Sequence, residues 1–407
     1  MRLMLLALAP FCLAPVALAQ EALPDPAAVA EALDDHPMVI AAQARVKSAA
    51  ADARALAKGP HEFSLTAGVV RRTVDTDGRF TEYDALLTRP VRLPGKASLD
   101  REIGRHGLDA AENRAEDARH QAALVLAEAW WDWISAASEA RIDEVLIENH
   151  QRLVAAVGRR ERLGDASRLE ADQAEAALAT ARIGLEQSRG RSLRARARLA
   201  TQFPHLVLPV DAPPVPEPDA SFGNWEKYRA LILANSHEIG FARSEAARSD
   251  SLAERARRER LADPSLGFRV FSERGGMERG GGLVVTIPFG GGHRSALADR
   301  AASEASAAAA DLHLVEANVA EVAATDIAEA EYRLAAWQRA REALQSQVAT
   351  LTKMRRGYDL GELDLIDLLA AERLTGEAFR TEALARTEAH RAATRIRIDS
   401  HELWLND

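Results

Sequence analysis

Apolar and polar positions alternate in two different rhythms along the chain. Between Pro94 and Pro204, and again after Pro288, no proline interrupts the sequence. In these stretches apolar residues recur at spacings of three and four, as in Leu124, Ala127, Trp131 and Ile134, or Val315, Val319 and Val322 leading to Asp326. That period, in tracts rich in Ala, Leu, Glu, Arg and Gln, predicts helices over 97–163 and 293–357. A helix of that length would run about 100 Å and must pack along most of it. A glycine breaks each tract, and a further helix follows. Two other regions alternate with period two: Phe63, Leu65, Ala67 and Val69 against Ser64, Thr66 and Gly68, and Leu283, Val285, Ile287 and Phe289 against Val284, Thr286 and Pro288. They predict strand pairs at 62–72 with 82–93 and at 265–273 with 282–289, joined respectively by a turn containing Asp77-Gly78 and a flexible glycine-rich loop, 274–281. Helices over 26–58 and 225–262 precede the pairs.

The two halves repeat each other. An offset of 197 residues separates Gly95 from Gly292, and the same offset separates Gly164 from Gly361. Between the halves lies Pro209-Val-Asp-Ala-Pro-Pro-Val-Pro-Glu-Pro218, which can be neither helix nor central strand. The expected organisation is a first repeat at 21–204, a proline-rich linker at 205–222 and a second repeat at 223–407.

Residues 1–20 read as a secretory signal: Arg2, an apolar run from Leu3 to Val16, then Ala17-Leu18-Ala19 for the peptidase. Cys12, the one cysteine, lies inside that run, so the mature chain would carry no disulfide or thiolate metal site, and an N-terminal lipid is not expected. Alanine makes up about a fifth of the chain and aromatics 5%, a bias of long helices. The net charge of −9 argues against nucleic acid as a partner. No later apolar run is long enough for a transmembrane helix. Strands of about ten residues would suit a barrel wall in lipid. Four of them cannot close, and every edge in lipid must be paired. If they enter a membrane, several chains must share one barrel, and three chains would supply twelve strands. The alternative is a soluble periplasmic coiled-coil scaffold carrying two hairpins.

The segments joining strand to helix narrow the choice. Arg89-Pro-Val-Arg-Leu-Pro94-Gly95-Lys96 and Val284-Val-Thr-Ile-Pro288-Phe-Gly290-Gly291-Gly292-His-Arg294 resemble the corresponding junctions of the outer-membrane efflux proteins, the TolC-like channels. Asp263-Pro-Ser-Leu-Gly-Phe268, the duplication and the turn at Gly361-Glu-Leu-Asp-Leu-Ile-Asp367-Leu-Leu369 extend the likeness over essentially the whole mature chain. The resemblance implies a mainly α fold with a small β part: a homotrimer with a coiled-coil α-barrel in the periplasm and a shared twelve-stranded β-barrel in outer-membrane lipid. It implies a periplasmic adaptor and an inner-membrane pump as partners, and no cofactor. The junction wording is most similar to the branch serving heavy-metal cation pumps of the resistance-nodulation-division class. Drug or solvent efflux and type I protein secretion use the same kind of duct.

By the same resemblance Gly164 and Gly361 form the helix turns at the periplasmic tip. Asp367 and its repeat equivalent Glu170 then line the entrance as rings of carboxylates, or else serve as helix-start acids favoured by the dipole. Tyr358 matches a gating tyrosine. Ala370 stands where some relatives have a second acid, and Leu363 where they have an arginine. Pro94, Gly95, Pro288, Gly290 and Gly291 mark the strand-to-helix junctions. Trp130, Trp131 and Trp133 are expected to pack between helices, and His61, His106, His120 and His293 to lie at the surface. No nucleophile–base constellation, metal-ligand spacing or phosphate loop is present in the sequence, so an enzyme is not expected.

Overall fold

The structure is a computed structural model that describes residues 22–219 and 223–405. The signal-peptide expectation, and residues 220–222 of the linker, lie outside the described residues. The elements run α1 (Pro26–Asp34), α2 (Pro37–Lys58), β1 (Ser64–Val74), β2 (Gly78–Pro90), α3 (Lys96–Leu163), α4 (Arg168–Gln202), α5 (Trp225–Asn235), α6 (His237–Glu259), β3 (Ser265–Glu273), β4 (Glu278–Thr286), α7 (Gly292–Asp359) and α8 (Leu365–Asp399). The two long helices are each 68 residues, and the two that follow them are each 35.

Three expectations are corrected. The helix expected over 26–58 is two helices, because Pro37 cannot continue the first and opens the second. The helix expected over 225–262 breaks at Ser236, whose hydroxyl accepts from the Ile239 N–H and so starts a new helix. The second half of the expected glycine-rich loop is strand, since β4 begins at Glu278 and ends at Thr286. Its glycines make room for phenylalanines of β3: a side chain at Gly280 would collide with the Phe271 ring, and one at Gly281 would press on Phe268.

The chain forms two compact units. One comprises Ile40–Ala118 and Ser236–Ala320 and contains the sheet; the other comprises the residues up to Val39, Arg119–Asn235 and the residues from Glu321. The sheet is antiparallel in the order β1-β2-β3-β4, with β1 and β4 as its edges.

The second unit is built around the tryptophans of α3. Trp130, Trp131 and Trp133 are buried with Leu33, Leu126, Ile134, Leu199, Phe203 and Ile398. Each polar handle is satisfied or enclosed. The Trp130 indole donates to the Ala22 carbonyl at 2.8 Å, and Trp131 donates to Thr394 Oγ1 at 3.0 Å while stacking on His390. The proline-rich linker straps this unit. Prolines donate nothing from the backbone, so the linker offers carbonyls, and side chains on the helices answer them. Arg141 donates to Ala212 and Pro213, Arg386 to Val215, Arg196 to Pro209, and the His390 ring pairs with Pro216.

Candidate functional site

In the sheet, the register places apolar residues of all four strands in rows on one face. Leu65, Leu87, Phe268 and Leu283 form one row, Ala67, Ala85, Val270 and Gly281 the next, and Leu266 with Val285 continue the band. These side chains are uncovered: Leu65 is 68% exposed and Leu283 86%. The opposite face carries Thr66, Asp84, Glu82 and Arg269, with Arg269 Nε 2.5 Å from Asp84 Oδ2 and Arg72 Nη2 2.8 Å from Glu82 Oε1. A sheet with an apolar face open over four strands and two unpaired edges is suited to lipid on one side and water on the other.

The two strand-to-helix junctions differ. At the first, Pro94 and Gly95 (φ +83°) turn the chain so that Lys96 opens α3 with its side chain only 1% exposed. Lys96 Nζ donates to the Leu261 carbonyl at 2.6 Å and to Asp263 Oδ1 at 2.8 Å, and lies 3.0 Å from Glu259 Oε2. Asp263 also accepts from the Leu93 N–H and pairs with His61 Nε2 at 3.1 Å. Burial opposes ionisation of Asp263 and Glu259. Hydrogen bonds from Lys96 to both, and from Arg255 to Glu259, prevail and hold both carboxyls below their ordinary values. Beside them, Asp100 takes Arg92 and Arg255. At the second junction, after Pro288, Gly290 (φ +95°) and Gly291, the position equivalent to Lys96 is His293, which is exposed. There Arg294 donates to the Gly290 carbonyl. His61 is thus a partly buried partner of Asp263 and not the expected surface residue.

In the tryptophan-containing unit, the two glycine turns are built alike. Gly164 (φ +83°) and Gly361 (φ +77°) each end a helix in the left-handed conformation. In the first turn the Asp165 N–H returns to the Arg160 carbonyl and the Gly164 N–H to Glu161; in the second, Glu362 returns to Gly357 and Gly361 to Tyr358. This paired pattern satisfies the last carbonyls and requires the glycine. Ser167 and Asp364 then start α4 and α8 with nearly the same backbone angles.

The side chains at these turns diverge. Ser167 and Glu170 form a reciprocal cap, Glu170 Oε2 accepting from the Ser167 N–H at 2.7 Å. Asp364 makes no such bond. Asp367, at the equivalent third position of α8, is exposed and forms no hydrogen bond or ion pair among the described residues. The structure therefore occupies Glu170 locally and leaves Asp367 free. Tyr358 is buried with Val157, Ala171, Leu365 and Leu368, and the Arg160 guanidinium sits 5.0 Å over its ring. Burial pushes the Tyr358 phenol above its ordinary value; Arg160 opposes this and Glu170 adds to it. Leu363 packs on Gly357, where a side chain would meet it at 2.8 Å, so the turn is closed here by an apolar contact.

One further cluster was not legible in the sequence. His120, expected at the surface, is buried and its Nε2 lies 2.8 Å from Asp399 Oδ1. Arg395 Nε donates to Asp326 Oδ2 at 2.9 Å and is 3.6 Å from Asp399 Oδ2. The Asp326 carboxyl is pushed up to about 6, chiefly by burial, with Asp399 adding to the shift and Arg395 resisting it. The folded state thus favours the protonated acid. Stability is lost as pH rises from the ordinary carboxylate value toward 6, and stays lost above it. Asp326→Asn keeps an acceptor for Arg395 and removes the charge. It should stabilise the protein above pH 6 by about 1–2 kcal/mol, with the gain fading below about pH 4. Thermal melts of both proteins across that range check this; a gain independent of pH would refute it.

No family description and no curated protein sequence matches the chain. Solved structures do. The outer-membrane channel OprN superposes with a TM-score of 0.79 at 20% identity, over 94% of this chain and 91% of that one. The outer membrane protein VceC from Vibrio cholerae gives 0.76 at 17% identity, over 92% and 95%. CusC, described in terms of folding and transmembrane channel formation, gives 0.69 at 16%, over 92% and 91%. The chain has the fold of these TolC-like channels, with long helices and a four-stranded antiparallel sheet.

Proposed function

We propose that three copies of this chain form an exit duct in the outer membrane, extending into the periplasm, as the channel of a tripartite efflux system. The observation that carries this reading is the sheet: four strands with one continuous apolar face and two open edges. In lipid those edges must be paired, and twelve strands from three copies close a barrel. The other face, where Asp84, Glu82 and Arg269 stand among Leu86, Phe271 and Val70, would line the water-filled lumen. A periplasmic adaptor and an inner-membrane pump would meet the helical end, where Gly164 and Gly361 make the tips. The chain is a passive conduit and not an enzyme, so its substrate is chosen by the pump. The junction sequences favour a pump for heavy-metal cations; drug efflux and type I protein secretion are the other uses of such a duct.

The purified protein should run on SDS gels as an oligomer that heating dissociates, and it should fractionate with the outer membrane. A soluble periplasmic monomer would refute the duct. Loss of the gene should sensitise cells to divalent cobalt, zinc, cadmium, nickel or copper. Sensitivity to drugs and detergents alone would remove the metal assignment and leave the duct standing.

A further inference from the structure

In the tryptophan-containing unit, α8 carries a second buried carboxylate whose partners are incomplete. Glu372 is 7% exposed, and its Oε1 accepts from Arg355 Nη2 at 3.1 Å. Among the described residues its Oε2 has no hydrogen-bond partner and faces His150 Nδ1 of α3 at 3.6 Å; that nitrogen has none either. Two buried polar atoms left unpaired against each other are costly. The distance is too long for a sound N–H···O bond. The pair borders a cavity of about 220 Å³ that Asn149, Thr352 and Thr375 also line.

An imidazole nitrogen and a carboxylate oxygen are donors suited to a borderline divalent cation. With metal–ligand distances of about 2.1 Å, a separation of 3.6 Å corresponds to an angle of about 118° at the metal, near tetrahedral. Arg355 holds the other carboxylate oxygen and so fixes the orientation of the free one. Its positive charge also keeps the affinity low. We propose that His150 Nδ1 and Glu372 Oε2 form a low-affinity site for a borderline divalent cation such as Zn²⁺ or Cu²⁺, with water in the adjoining cavity completing the coordination. Such a site does not require the exported substrate to be a metal, and its failure would leave the duct untouched.

In air, ascorbate reduces bound copper, and dioxygen reduced at the copper oxidises the side chains that hold it; peptide mass spectrometry locates the damage. On the purified full-length protein in detergent, His150 should be converted to 2-oxo-histidine well above the level at the exposed His293 and His313, and excess Zn²⁺ should protect it. Glu372→Gln keeps an acceptor for Arg355 and removes the ligand charge. It should lower His150 oxidation about tenfold, the usual size of losing an interaction that supports a metal ligand. His150→Asn offers a second reading by equilibrium dialysis, which should find one fewer Zn²⁺ per chain. Oxidation of His150 no greater than at His313, zinc protection that persists in Glu372→Gln, or unchanged zinc stoichiometry in His150→Asn would each overturn the site.

Discussion

Lys96→Met should destabilise the protein by about 3–5 kcal/mol, the range expected when one partner of a buried ion pair is removed and the other charge stays behind. Methionine fills a similar volume but donates nothing. Asp263 and Glu259 would lose the ammonium that helps keep them ionised, and the Leu261 carbonyl would lose its donor. Both carboxyls are held below their ordinary values in the folded state, so their contribution is present above the ordinary carboxylate range and disappears as pH falls through the depressed values. The difference between Lys96→Met and wild type should therefore be largest near neutrality and shrink below about pH 4. Urea or thermal unfolding in detergent, repeated across pH, reads it. A double-mutant cycle with Asp263→Asn should return a coupling of at least about 1 kcal/mol. A single-mutant loss under about 0.5 kcal/mol near neutrality would mean the lysine is only packed and not a latch. His293, its counterpart in the second half, is exposed. His293→Ala should change stability little, by no more than about 0.5 kcal/mol.

Asp367→Asn should abolish most of the cation preference of the assembled channel, on the reading that three copies converge at the helical tip. Three carboxylates within several ångströms of a pore axis attract a passing monovalent cation by about 1–2 kcal/mol in water, roughly a five- to thirtyfold enrichment. The geometry singles out Asp367 over Glu170. Both occupy the third position of a helix, but Glu170 is engaged by Ser167, whereas Asp367 is exposed without a local partner. Glu170→Gln should consequently act mainly on the stability of the turn, by about 0.5–1 kcal/mol, and only weakly on selectivity. Planar-bilayer reversal potentials under a salt gradient separate the two. Block by multivalent cations from the tip side should weaken in Asp367→Asn, and high salt should shrink every difference because exposed charges are screened within about 10 Å at 0.1 M. Unchanged selectivity and block in an Asp367→Asn channel of normal conductance would make Asp367 a helix-start acid and nothing more.

Much of the architecture was legible because it rests on local signals. Proline-free tracts, glycine breaks and a period of 3.6 fix where the long helices run, and α3 begins within one residue of the expected start. The strand expected over 265–273 is β3 with the same bounds. What escaped is either tertiary or a local rule overridden. Lys96 reads only as part of the junction that opens the first long helix; its partners Leu261 and Asp263 come to it from the other half of the sequence. His61 and His120 looked like surface histidines for the same reason, their partners Asp263 and Asp399 being distant in sequence. The glycines at 280–282 signal a flexible loop by composition, yet all three lie in β4, and at Gly280 and Gly281 the missing side chain leaves room for Phe271 and Phe268 of β3. Pro37 and Ser236 were available as break and cap signals, and the helical composition around them masked both. At the candidate entrance, equivalence by offset suggested that Glu170 and Asp367 do the same thing; the hydroxyl of Ser167, which has Asp364 as its counterpart, sets them apart.

The equal spans of the paired helices, 68 with 68 and 35 with 35, have a consequence for how such a chain can change. A residue added to a helix advances everything beyond it by about 1.5 Å and swings it by about 100°. A single insertion in α3 would carry the Gly164 turn out of phase with the turn at Gly361 and rotate the apolar stripe of α3 away from its neighbours. Only a matched change in all four helices, in multiples near seven residues, restores both level and phase. Length in this molecule is therefore a collective variable. It can be retuned in whole steps, by duplicated edits made in concert, and is closed to the one-residue drift that surface loops absorb.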